Sequence, residues 1–178
     1  MSANAIGIDL SLTATGIASS RGWCLKLGVD GITNMPLADR VKALRALRLR
    51  LATEIGHPDI VCIETPALSR SRGGVFERGW LWFAVAGALV DLEVPIVGVD
   101  PGQLKLYATG KGQVPKGEVI VAVTRRWPQF ETRGDDNMAD ATVLAAIGAD
   151  LLGEPMCPMP AANRAALAKL RLPAGVAS

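Results

Sequence analysis

Four acidic residues stand where a strand or a helix interior would favour something else. Asp9 lies in the strand-like run "AIGIDL", alternating with Ile6 and Ile8, and Glu64 ends the apolar run "DIVCIE" (59–64). Asp136 and Asp140, in "GDDNMADATVLAA" (134–146), are four apart at the mouth of an otherwise apolar helix, so their side chains share a face. Asn137 is three before Asp140 and shares that face too, whereas Asp135 is five away and points elsewhere. Carboxylates gathered at close range raise one another's pKa and cannot all stay ionised without compensation, for which divalent cations are the usual remedy. Oxygen donors with few histidines suit Mg2+ or Mn2+, since zinc normally brings sulfur or imidazole. The single histidine, His57, precedes Pro58 in a loop-like stretch and reads as a surface or structural residue. Taken one at a time, each acid also has a structural explanation. Asp135 or Asp136 can cap the helix, Asp9 can be an edge-strand charge, and Glu64 a loop residue.

For the acids to meet, the elements that carry them must converge. "AIGIDLSLTATGIASS" (5–20) reads as strand, short turn and strand, and "GWCLKLGV" (22–29) alternates as a third antiparallel strand. "PLADRVKALRALRLRLATEI" (36–55) is helical, with Leu37, Val41, Leu44, Leu47, Leu51 and Ile55 as its apolar stripe. Its basic residues Arg40, Lys42, Arg45 and Arg50 lie mainly outside that stripe and read as a solvated face. The strand 59–64, a loop rich in Ser, Arg and Gly (65–74), an apolar helix to about Leu92 and a strand at 94–99 follow. Asp91, Glu93 and Pro95 break the most apolar stretch, so it is not a membrane span. Asp100 as cap and Pro101 at the first position open another helix, and 116–127 and 137–152 supply two more. A meander followed by alternating helices and strands implies an α/β fold with a mixed sheet and helices on its faces. Functional residues in such sheets gather at the ends of central strands. If strands 5–10 and 59–64 are neighbours, Asp9 and Glu64 face one edge, and the helix at 137–152 need bring only its first turn there.

Bulk properties narrow the classes. A chain of 178 residues, 49% hydrophobic and 20% charged, with mean hydropathy +0.27, builds one full core and is not disordered. A net charge of +2 leaves any nucleic-acid binding to local basic clusters. Cys24, Cys62 and Cys157 are odd in number and unpaired in spacing, which fits reduced thiols. "MSANAIGIDL" has no basic n-region, so the expectation is a cytoplasmic protein without a secretory signal. Residues 153–178 read as a Pro/Ala-rich tail, loose apart from one short helix near 163–170. "TGKGQVPKG" lacks the P-loop spacing.

Four stretches, "GIDLSLTATGIA", "DIVCIE", "QLKLYATGKGQVPKGEV" and "DDNMADA", occur in the order in which they resemble motifs of the RuvC-type Holliday junction resolvases of the ribonuclease H-like superfamily. The likeness spans about residues 5–150; no single motif is decisive, and the four in order are specific. The resemblance implies a ribonuclease H-like five-stranded sheet, a three-strand antiparallel meander plus parallel strands flanked by helices, within a nuclease domain at 1–152. It implies Asp9, Glu64 and Asp140 as catalytic metal ligands. Where the family usually has Asp or His three before the last acid, this chain has Asn137, and Asp136 is the candidate for the missing charge. The family's lysines fall on Lys105 and Lys116, with Lys111 an added basic residue nearby. Arg70, Arg72 and Arg78 would contact DNA phosphates with these lysines, and Phe76 would stack on unpaired bases or else join the core.

The same resemblance implies two Mg2+ ions per site, replaceable by Mn2+, and no nucleotide cofactor. It implies a homodimer that grips four-way DNA and hydrolyses two strands symmetrically. The small residues Gly79, Ala86 and Gly87 of the helix after the Arg-rich loop suit close packing on a partner helix and equally packing on the chain's own sheet. Three alternatives stand beside it. One is a broader flap or fork nuclease. Another is an ATP-binding protein of the actin and sugar-kinase type, whose first hairpin is similar but which needs two such domains. The third is a non-catalytic junction-binding protein, which Asn137 keeps open.

Overall fold

The computed structural model describes residues 3–66 and 73–173. Three antiparallel strands, β1 (Ala5–Asp9), β2 (Thr15–Ser19) and β3 (Trp23–Leu27), form the expected meander. Helix α1 (Leu37–Ile55) then crosses over so that β4 (Ile60–Glu64) lies parallel to β1, and α2 (Val75–Asp91) returns the chain to β5 (Ile96–Val99), parallel to β4. The resulting sheet has the order β3-β2-β1-β4-β5. The central strand is therefore β1, and it and its parallel neighbour β4 both end on an acid, Asp9 and Glu64. Helices α3 (Pro101–Thr109), α4 (Lys116–Arg126) and α5 (Asp136–Leu151) follow, then a single turn α6 (Ala161–Arg164) and a 3-10 turn at Leu167–Lys169. This is the mixed five-stranded α/β architecture expected from the sequence.

Strand alternation divides the core into two layers. Ile6, Ile8, Val61 and Ile63 face α1 and α2, where Leu44, Leu47, Leu51, Leu81, Val85 and Leu89 cover them. Ala5, Cys62 and Ile60 face α5 together with Leu104, Tyr107, Val123 and Trp127 of the C-terminal helices. Helix α5 lies against β1 and β2 at unusually close range, because Gly7 and Gly16 offer no side chain there. A Cβ on Gly7 would come within 2.1 Å of Ala141 O and 2.3 Å of Ala145 N.

Two expectations need correction. Leu37 and Val41 of the anticipated α1 stripe are exposed. The inward position in that first turn belongs to Arg40, whose guanidinium donates to Glu77 Oε1 at 2.7 Å and to the carbonyls of Thr33 and Met35. Nor is the segment after α5 loose over its described part. Asn163 and Ala166 are buried, and Arg164 pairs with the buried Asp150. Among the described residues no helix is long and apolar enough to cross a membrane.

Candidate metal centre

The register of the two central parallel strands sets the first two carboxylates. Ile8 is level with Ile63, so one further step puts Asp9 beside Glu64, both on the face that α5 covers. Glu64 is fixed through its own backbone, since Trp82 Nε1 of α2 donates to Glu64 O at 3.0 Å. The chain beyond it is held as well: Thr65 N donates to Val99 O at 3.0 Å, and the Thr65 hydroxyl donates to the Asp100 carboxylate.

The third carboxylate arrives on α5. Asp135 is the N-cap: its side chain accepts from Met138 N at 3.1 Å. The same carboxylate pairs with Lys26 of β3 and holds that ammonium above its ordinary pKa. The first turn rests directly on β2, where a Cβ at Gly16 would lie 2.1 Å from Asn137 O. Since Gly16 is level with Asp9 in the β1–β2 pair, this contact sets the height of Asp140 above Asp9. The outcome is a tight group: one carboxylate oxygen each from Asp9, Glu64 and Asp140 lies within 4.8 Å of the others, all half-buried. Three oxygen donors, with no sulfur or imidazole among them, fit a hard divalent cation.

The group opens into a cleft of about 360 Å³ lined also by Ser11, Pro101, Lys105, Val119, Asp136 and Asn137. Asp136 therefore shares the cleft but stands outside the 4.8 Å group. Its Oδ1 accepts from Asn137 N at 3.2 Å. Lys105 lines the cleft from α3, and Lys111 is exposed in the turn after that helix. Lys116 opens α4, and its side chain is not among those described. Phe76 is 90% exposed at the start of α2, on the solvent side of the helix rather than in the core, and Arg78 is half-buried one turn in. Arg70 and Arg72 lie outside the described residues. His57 is exposed beside the opposite end of β4, remote from the carboxylates.

Four contributors escaped the sequence reading: Gly16, Lys26, Ser11 and Trp82. A glycine inside a strand, as in "ATGIA", does signal close backbone approach. The pairing of Lys26 with Asp135, 109 residues apart, leaves no local trace.

No family model matches the sequence. A Mycolicibacterium smegmatis protein, whose name proposes an S-adenosyl-L-methionine-dependent methyltransferase, is 37% identical over 107 residues, 58% of this chain. The chain spans about a third of that protein's length, 32%. Among solved structures, Thermus thermophilus RuvC superposes with a TM-score of 0.61 at 24% identity, covering 85% of this chain and 97% of that one. The T. thermophilus RuvC complex with a Holliday junction substrate superposes with a TM-score of 0.61 at 22% identity and the same coverage. The fold is RuvC-like.

Proposed function

We propose that the chain is a metal-dependent, structure-selective DNA endonuclease that resolves four-way junctions by paired phosphodiester hydrolysis. The observation that carries this reading is the convergence of Asp9, Glu64 and Asp140 oxygens within 4.8 Å. They do so in an open cleft that also holds Lys105, on a fold shared with a protein solved in complex with a Holliday junction. Asp9, Glu64 and Asp140 would hold Mg2+, with Mn2+ as a substitute, and Asp136 would complete the charge that Asn137 does not supply. The chemistry that such ions would supply there is activation of a water and stabilisation of the leaving oxygen. The residues of the chain do the rest. Asp9 and Glu64 fix the donor set from rigid strand ends, and Asp140 closes it from a buried helix. Lys105 and Lys116 neutralise the phosphate on which charge develops. Water oxygen bonds to phosphorus, the P–O3′ bond breaks, and the products carry a 5′-phosphate and a 3′-hydroxyl. Arg70, Arg72, Arg78 and Lys111 would grip flanking phosphates, and the exposed Phe76 would stack on unpaired bases.

A homodimer belongs to the same proposal. Phe76, Trp80, Phe83, Gly87 and Val90 recur every four and three residues along α2, on the face turned away from the sheet. Phe83 is 73% and Val90 65% exposed, an apolar seam of the kind that a second copy of the helix covers. Added Cβ atoms at Gly79 and Gly87 would meet nothing within 4 Å, so these positions leave room for a close partner.

The deciding experiment is Glu64→Gln. It should abolish Mg2+-dependent cleavage of a synthetic four-way junction while leaving junction binding intact. Unchanged cleavage would sink the metal reading, and a wild-type chain that binds junctions without cutting them would favour the non-catalytic alternative. Flaps, forks and linear duplexes in the same panel test the broader nuclease. The activity named for the M. smegmatis protein is not carried over, because the match spans 32% of it.

A further inference from the structure

The segment after α5 turns back and grips one face of α3. Gln103 Nε2 donates to Lys169 O at 2.9 Å. The buried Asn163 donates through Nδ2 to Tyr107 O at 2.7 Å, which satisfies one of the carbonyls left open at the C-terminal end of α3. The Tyr107 hydroxyl donates to Asp150 Oδ2 at 3.0 Å. Arg164 closes on the same carboxylate with two bonds, Nε to Oδ2 at 3.1 Å and Nη2 to Oδ1 at 2.8 Å. Burial, then the neighbouring Asp150 charge, pushes the Tyr107 phenol up, so it remains a donor throughout the ordinary pH range.

Gln103 and Tyr107 are four apart and share a side of α3. Lys105, midway between them, is rotated about 200° from each at the ~100° per residue of an α-helix, and lines the metal cleft with Pro101. The helix has nine residues, too few to be stable alone, and it packs mainly on α4, α5 and α6. Its rotation and height are therefore set from outside, and the C-terminal segment supplies the bonds on the side opposite Lys105.

Resting on the nuclease reading above, we infer that Asn163 and Arg164 are positioning residues for Lys105. The segment 160–170 is a brace that aims this lysine at the scissile phosphate. Misplacement of a reacting group by about 1 Å can lower a rate roughly a hundredfold. The double variant Asn163→Ala/Arg164→Met should therefore lower junction cleavage by about ten- to a hundredfold at saturating Mg2+ and DNA. The diagnostic readout is a cycle with Lys105→Met. Once Lys105 is gone its aim no longer matters, so the triple variant should cleave no more slowly than Lys105→Met alone. Additive losses, a parental rate for the brace variant, or a parental rate for Lys105→Met each overturn the inference. If the double variant does not fold, as judged by its thermal melt, Gln103→Ala enters the same cycle with the same outcomes. An active parent with additive losses refutes the brace alone, whereas a parent that cuts no branched DNA refutes the nuclease function and the brace with it.

Discussion

Substituting Gly16 by alanine is the sharpest test of how the carboxylates are held together. The new Cβ would sit 2.1 Å from Asn137 O, 2.5 Å from its carbonyl carbon and 3.0 Å from Met138 N. All three are backbone atoms of the first turn of α5, so no flexible side chain can yield. Restoring ordinary contact near 3.4 Å requires β2 and α5 to separate by about 1.3 Å. Overpacking of this kind costs about 1–3 kcal/mol, and for a chain of this size each kcal/mol lowers the melting temperature by roughly 2–4 °C. The same movement lifts Asp140 from Asp9, in a group whose donor atoms lie within 4.8 Å. On the proposed function, cleavage should fall about a hundredfold, with a higher Mg2+ concentration needed for half-maximal rate.

The control is Gly148→Ala at the far end of the helix. Its Cβ would meet Ala5 Cβ at 2.9 Å and an Ile60 methyl at 3.2 Å. This variant should lose comparable stability yet cut at the parental rate well below its melting temperature. Differential scanning fluorimetry and a Mg2+ titration of junction cleavage read both effects. A Gly16→Ala chain that melts low but keeps the parental Mg2+ response would refute the account of α5 as the element that sets the site. So would a Gly148→Ala chain equally crippled in rate.

Other outcomes follow from the packing. Glu93 has φ 56° at the end of α2, where Glu93 N bonds Val90 O and Val94 N bonds Leu89 O, a helix stop that normally carries glycine. Glu93→Gly should stabilise the fold by about 0.5–1 kcal/mol, seen as a higher denaturant midpoint with unchanged slope. Cys62 is fully buried and burial pushes its thiol well up, so alkylation should modify Cys62 only on global unfolding. The folded chain keeps that proton where the unfolded thiol releases it. Its contribution to stability is therefore whole below the unfolded value near 8.5 and declines above it by about 1.4 kcal/mol per pH unit, which urea titrations at stepped pH would measure. On the proposed homodimer, Phe83→Glu should leave the melting temperature nearly unchanged while shifting the chain to monomers in sedimentation; a dimer that survives it does not use the α2 seam.

Much of this was legible because the signals are local. Alternation located β1 and β4, and the acids at their ends needed only the parallel pairing to become neighbours. Helix α5 announced itself by its cap and its apolar run. The misreadings share a physical cause. Leu37 and Val41 fit the α1 period, yet Arg40 takes the inward position through carbonyls at Thr33 and Met35 that periodicity does not encode. The Pro/Ala-rich tail looked loose because its anchors, Asn163, Ala166 and Arg164, are single residues whose partners lie on α3 and α5. Phe76 fitted either a core or a surface role, and only the direction in which α2 faces the sheet decides between them.

The sheet order has a consequence for how such a chain comes into being. Asp9 enters with the first strand, Glu64 follows 55 positions later once the meander and α1 are passed, and Asp140 arrives 76 positions later still. A chain emerging residue by residue can pair β1 with β4 and bring two carboxylates together long before the third exists. Until α5 settles onto Gly7 and Gly16, the carboxylate group is incomplete and only its two strand-borne members are in place. On the proposed function, the ability to cut DNA is thus withheld until the last large helix docks.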